Sequence, residues 1–153
     1  MFRKGDIDGV IIREVKLFRD ARGWLAEIFR ADELPEGFSP LMSYVSMTIP
    51  GVARGPHEHS YQSDYFYFLS NFKLYLWDNR KSSTTYLNML VMEETRGKTV
   101  IIPPGVVHAY KNDTTSDGLV LNFPDKLYAG WGKKEPVDEI RHEGDKESPF
   151  TLD

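Results

Sequence analysis

Gly51-Val-Ala-Arg54-Gly-Pro-His57-Glu-His59, followed by Asp64, and Gly97-Lys-Thr-Val-Ile-Ile-Pro103-Pro-Gly105-Val-Val-His108-Ala-Tyr-Lys-Asn112 are the two stretches that decide the fold of this chain. They hold three of its four histidines. In an extended strand the side chains alternate between faces, so His57 and His59 share one face and Glu58 points away. Pro103-Pro104-Gly105 is a tight turn, because proline presets φ and glycine tolerates the positive φ that turns require. That turn delivers the chain into a short strand carrying His108. A neighbouring strand can then hold the third imidazole against the first two.

The first stretch reads G-x5-H-x-H-x4-D and the second G-x5-P-x-G-x2-H-x3-N, and together they resemble the two motifs of the cupin superfamily. The resemblance implies an all-β jelly-roll barrel. The remaining histidine, His142, lies in the polar run Arg-His-Glu-Gly-Asp and is expected to be a surface or internally satisfied residue.

Outward from these motifs the chain is short β-rich runs separated by turn formers. Strands are expected at Val10–Leu17, Trp24–Phe29, Met42–Ile49, Tyr65–Leu69, Lys73–Trp77, Tyr86–Met92, Thr99–Ile102 and Gly118–Phe123. The segment 31–37 has room for one helical turn before Pro35 interrupts it. Tyr65-Phe-Tyr-Phe68, Tyr75 and Trp77 read as barrel wall and core, since aromatics are ordinary in strands. Residues 130–153 read as a packed polar tail whose acidic groups face solvent.

With 153 residues the chain is expected to form one domain over 1–153, long enough to close a core without staples. A formal charge of −4 and a pI near 5.6 argue against a nucleic-acid partner. There are no cysteines, hence no disulfide framework. The N-terminus lacks an apolar signal core and no run approaches a membrane span, so a cytoplasmic location and no membrane partner are expected.

A narrower resemblance runs from about Arg13 to Tyr128. Arg22-Gly-Trp24-Leu-Ala-Glu27, Gly51-Val-Ala-Arg54-Gly-Pro-His57, Asp78-Asn-Arg80 and Ile102-Pro-Pro-Gly-Val-Val-His108-Ala occur in the order and spacing of the dTDP-4-dehydrorhamnose 3,5-epimerase family. Tyr128 falls near that family's Asp-Tyr-Tyr segment. The resemblance implies a homodimer that exchanges N-terminal strands, and a cofactor-free reaction on a 4-keto nucleotide sugar. The hydrogens on C3 and C5 are acidified by the C4 carbonyl, and an imidazole of ordinary pKa about 6.5 is a suitable base for them. By resemblance His57 is that base, Asp145 orients it, and His108 supports the site. Arg54, with Arg22, Trp24 and Glu27 of the partner's strand, would hold the nucleotide by guanidinium–phosphate and ring-stacking contacts.

The chain also departs from the family. Ser63 or Asp64 stands where the family has the lysine that stabilises the enolate oxygen. Leu121 or Asn122 stands where it has its acid tyrosine, which leaves Tyr110 and Tyr128 as substitutes. His59 replaces a residue that is usually glutamine or another polar group. Three functions are therefore open. One is an epimerase of a dTDP-4-keto-6-deoxyhexose. The second is a cupin using a divalent metal (Fe, Mn, Ni or Zn) on His57, His59, His108 and Asp64. The third is a sugar-nucleotide-binding cupin without catalysis.

Overall fold

The computed structural model describes residues 1–153 and is built from strands: β1 (Arg3–Lys4), β2 (Ile11–Glu14), β3 (Leu17–Asp20), β4 (Gly23–Ala26), β5 (Tyr44–Thr48), β6 (Ala53–Glu58), β7 (Asp64–Phe68), β8 (Lys73–Asp78), β9 (Asn88–Met92), β10 (Lys98–Ile102), β11 (Val106–Lys111), β12 (Gly118–Asn122) and β13 (Ile140–Arg141). The sole helical element is a 3₁₀ turn at Trp131–Lys133. A six-stranded sheet has the order β1-β9-β8-β11-β6-β13, a five-stranded sheet the order β2-β10-β7-β12-β5, and β3–β4 form a separate hairpin. All pairings are antiparallel except β1–β9. The all-β jelly-roll expectation is met as two facing sheets, not as one closed ring of hydrogen bonds.

Alternation explains how the sheets face each other. Phe66 and Phe68 of β7, Val100 and Ile102 of β10 and Val120 of β12 meet Leu74 and Leu76 of β8 and Val106 and Tyr110 of β11 in one buried cluster between the sheets. The outward residues of the six-stranded sheet, Tyr75, Trp77, Val107 and Ala109, form a second cluster closed by Phe150 from the tail. Burying one such phenylalanine is worth about 1.5–3 kcal/mol and adds to the β13–β6 pairing in anchoring the tail. The aromatic runs are thus wall and core, as expected.

Several boundaries differ from the sequence reading. Val10–Leu17 divides into β2, which pairs with β10, and β3, which joins the hairpin; between them the Val15 amide donates to the Gly97 carbonyl. Trp24–Phe29 ends at Ala26, and Tyr86–Met92 starts at Asn88, because Leu87 has φ 67° and cannot continue a strand. Segment 31–37 holds turns and no helix. The tail is packed and Glu135, Asp145, Glu147 and Asp153 stay exposed, as expected, but β13 pairs with β6 and turns Asp138, Glu139 and Glu143 toward the site.

Candidate active site

The site begins where β6 lies against β11. Gly55 has φ +86°, and a Cβ there would collide with the His108 carbonyl and with Ala109. Only glycine therefore lets the two backbones approach this closely. The register sets His57 opposite His108, so both imidazoles share the inner face, and the bulge between His108 and Tyr110 brings Arg54, three residues before His57, to that face as well. The ring centroids are 4.4 Å apart. His59, just past the end of β6, returns to the same face, 5.5 Å from the His57 ring and 5.7 Å from the His108 ring. The three histidines meet as the two-residue period implied.

Asp64 opens β7 on the opposite sheet and is buried. Its Oδ2 lies 3.1 Å from His59 Nε2 and 3.2 Å from His108 Nε2. Its Oδ1 accepts from Gln62 Nε2 at 2.9 Å and Asn122 Nδ2 at 2.8 Å. Asn122 also donates to the Tyr44 hydroxyl at 2.9 Å, and its own Oδ1 accepts the Tyr65 amide at 3.0 Å. His59 Nδ1 faces the Asp138 carbonyl, while the Asp138 carboxylate accepts the amides of Ser60, Tyr61 and Gln62 at 2.7, 2.8 and 2.9 Å. The tail thus shapes the loop after β6. His108 Nδ1 bonds the Val106 carbonyl at 3.1 Å; its buried Nε2, though 3.2 Å from Asp64 Oδ2, is not aligned for a hydrogen bond, and His57 Nδ1 has none either.

β13 sets Arg141 opposite His57 and brings two carboxylates to that ring. Glu143 Oε1 is 3.8 Å from His57 Nδ1 and Glu139 Oε1 is 4.0 Å from His57 Nε2. Glu143 Oε1 is itself held by the Gly55 amide at 2.7 Å, and Glu139 by Arg141 Nε at 2.7 Å. Asp145 is not beside His57. The Asp145 amide donates to the His142 carbonyl in a turn after β13, and that turn carries its carboxylate to solvent, where it accepts the Glu147 amide at 2.9 Å. His142 is satisfied internally, 3.0 Å from Glu58 Oε1 and against Phe150.

The electrostatics separate the imidazoles. Burial, then the neighbouring His108 and His59, pull His57 down to about 2, so the ring is neutral. Burial also disfavours charge on His59, but the Asp64 carboxylate more than reverses it and raises the group to about 9. Asp64, despite its burial, is held below the usual carboxylate range by His108 and His59.

His57 and His59 open onto a cavity of about 1080 Å³, with Asp64 and His108 behind them. Arg54 lines it, its Nε donating to Thr48 Oγ1 at 2.9 Å and its terminal nitrogen to the Met47 carbonyl at 2.8 Å. Tyr110 is buried there with its hydroxyl 3.0 Å from Ser46 Oγ, and Tyr128 is exposed on the rim. Arg22, Trp24 and Glu27 do not line the cavity of their own chain. Arg22 is exposed and paired with Asp20 at 2.6 Å, Trp24 is half-exposed on the hairpin, and Glu27 is 3.8 Å from Arg30. Sequence reasoning missed Tyr44, Gln62, Asp138, Glu139 and Glu143. The alternation Tyr44-Val-Ser46-Met-Thr48 was a signal for the first; the tail acids had none.

The family model described as dTDP-4-dehydrorhamnose 3,5-epimerase matches residues 4–129. The chain is 34% identical over 127 residues to the probable low-salt glycan biosynthesis epimerase Agl13 of Haloferax volcanii, covering 80% of this chain and 81% of that protein. It is 34% identical over 109 residues to the spore coat polysaccharide biosynthesis protein SpsL of Bacillus subtilis, covering 69% and 71%. Among solved structures, a dTDP sugar isomerase from Desulfovibrio desulfuricans superimposes with a TM-score of 0.80 at 19% identity, covering 95% of this chain and 91% of that one.

Proposed function

Because the chain belongs to the dTDP-4-dehydrorhamnose 3,5-epimerase family and is by that membership a nucleotide-sugar epimerase, we propose that it inverts C3, C5 or both of a dTDP-4-keto-6-deoxyhexose with His57 as the base. The observation that carries this reading is the partly buried His57 imidazole facing a nucleotide-sugar-sized cavity, with a carboxylate near each ring nitrogen. A base for the proton that the C4 ketone makes acidic needs a value nearer neutrality than burial and the other two imidazoles leave His57, and the negative charge of Glu143 and Glu139, by favouring the protonated ring, works in that direction. Glu143 and Glu139 then stabilise the imidazolium, and Glu143, anchored on the Gly55 amide, takes the orienting role expected of Asp145. Both His59 nitrogens are engaged, so its charge acts on the enolate through the field of the site and not by direct hydrogen bonding.

Arg54, Lys126 and Arg141 supply cavity cations for the diphosphate. Arg22, Trp24 and Glu27 would reach it from the hairpin of a second copy in a cytoplasmic homodimer. The exposed apolar side chains Phe18, Leu25, Val45, Met47 and Leu119 support that association. No helix is long and apolar enough to cross a membrane. The reading treats 1–153 as one domain with no cofactor.

One feature favours a second reading. The ligand atoms of His57, His59 and His108 lie within 4.8 Å of one another, and the unpartnered His108 Nε2 faces Asp64 Oδ2. The three imidazoles fit a divalent metal, which would supply Lewis-acid stabilisation of an enolate, with Asp64 beside His59 and His108. The deciding experiment is incubation with a dTDP-4-keto-6-deoxyhexose in D2O, with and without chelator, on wild type, His57→Ala and His59→Ala. Deuterium entry at C3 or C5 that is lost in His57→Ala and insensitive to chelator supports the metal-free base. Loss of both metal and activity in His59→Ala moves the assignment to the metal. No exchange in wild type leaves a binding protein.

A further inference from the structure

Inversion at a carbon requires two groups, one that removes a proton from one face and one that returns a proton to the other. His57 belongs to the six-stranded sheet, so the second group must reach the sugar from the opposing wall. In that wall Asn122 of β12 has no proton acidic enough to give. Its register partner across the sheet is Tyr44 of β5. On β5, Tyr44, Ser46 and Thr48 alternate with the outward-facing Val45 and Met47, and Tyr44 and Ser46 line the cavity.

The Tyr44 hydroxyl is held by one bond in which it is the acceptor, from Asn122 Nδ2 at 2.9 Å. Its own proton has no acceptor in the chain and is free for a ligand. The other cavity phenols are placed differently. Tyr110 rises from β11, in the sheet that carries His57, and its hydroxyl is tied to Ser46 Oγ. Tyr61 and Tyr128 are 76% and 58% exposed on the rim, against 43% for Tyr44, whose ring opens to the cavity while its hydroxyl is fixed by Asn122.

We propose that Tyr44 is the catalytic acid of this site, supplying from the neighbouring strand the phenol that is absent at Asn122. The inference rests on the epimerase reading above. His57 takes the proton from C3 or C5, and the electrons of the broken C–H bond pass to the C4 oxygen as an enolate. The Tyr44 O–H bond then breaks as the enolate electrons return to form a C–H bond on the opposite face. The phenolate regains a proton from water and the imidazolium loses one to water, so the net change is inversion alone. Burial, then the negative charge of Asp64, push Tyr44 up from the ordinary phenol value and keep it protonated until the enolate forms.

The test is Tyr44→Phe with a dTDP-4-keto-6-deoxyhexose in D2O, following deuterium entry and configuration by NMR, with dTDP thermal stabilisation as the measure of folding. The expected result is continued exchange at the base-side hydrogen with retention, while inverted product falls by about 10²- to 10⁴-fold. Inverted product at the wild-type rate overturns the assignment. So does loss of exchange and inversion together in a variant that still binds dTDP, or a block of inversion confined to Tyr110→Phe or Tyr128→Phe. Fluorotyrosine at position 44 provides a check that does not depend on Tyr44→Phe folding. It should move the alkaline limb of the rate profile to lower pH, and an unmoved limb overturns the role. Wild type that neither exchanges nor inverts defeats the epimerase reading itself, an outcome distinct from a failure at Tyr44 alone.

Discussion

Asp64→Asn tests whether the buried carboxylate and the His59 imidazolium are a charged pair. Asparagine is nearly isosteric. Its Oδ1 can keep the bonds from Gln62 and Asn122, while its amide replaces the oxygen facing His59 and His108. What is lost is the attraction that raises His59 from about 6.5 to about 9. At about 1.36 kcal/mol per pH unit that gap sets a ceiling of roughly 3 kcal/mol. Because the folded pKa is raised, the stabilisation is fully present below pH 6.5 and disappears as pH rises through about 9. Urea unfolding of metal-free wild type and variant should therefore differ by up to roughly 3 kcal/mol near pH 6 and converge near pH 9.5. A difference that stays constant across that range would refute the ion pair.

Gly55→Ala should cost about 3 kcal/mol or more, from the left-handed φ and from collision with the His108 carbonyl, and should abolish exchange by parting His57 from His108; a urea midpoint close to wild type would show that β6 and β11 have slack. Glu143→Gln should lower kcat at least about tenfold with little change in KM, whereas Asp145→Asn should leave both near wild type; equal effects in steady-state assays would return the orienting role to Asp145. Arg54→Ala should remove most of the roughly 2.7 kcal/mol stabilisation that dTDP at a hundred times its dissociation constant gives wild type, read by thermal shift.

Local chemistry made much of this protein legible. Period-two alternation and Pro-Gly punctuation set out strands from Met42 to Phe123, and H-x-H spacing with the Pro103-Pro-Gly105 turn brought three imidazoles to one face. Those signals depend only on backbone geometry over a few residues. The carboxylates around His57 could not be read the same way. Glu139 and Glu143 lie some eighty residues from the base in a tail without periodic pattern, and only the pairing of β13 with β6, secured by the burial of Phe150, brings them in. Asp145 has equally suitable chemistry two residues later, but the turn after Arg141 points it to water. Tyr44 reaches the site because β5 pairs with β12 in one register and not the next; a slip of one residue would face Val45 inward in its place. The sequence by itself determined an all-β chain with a histidine cluster. Tertiary structure decided which acids and which phenol meet that cluster, because long-range register is set by the packing of the whole sheet and not by any residue's neighbours in the chain.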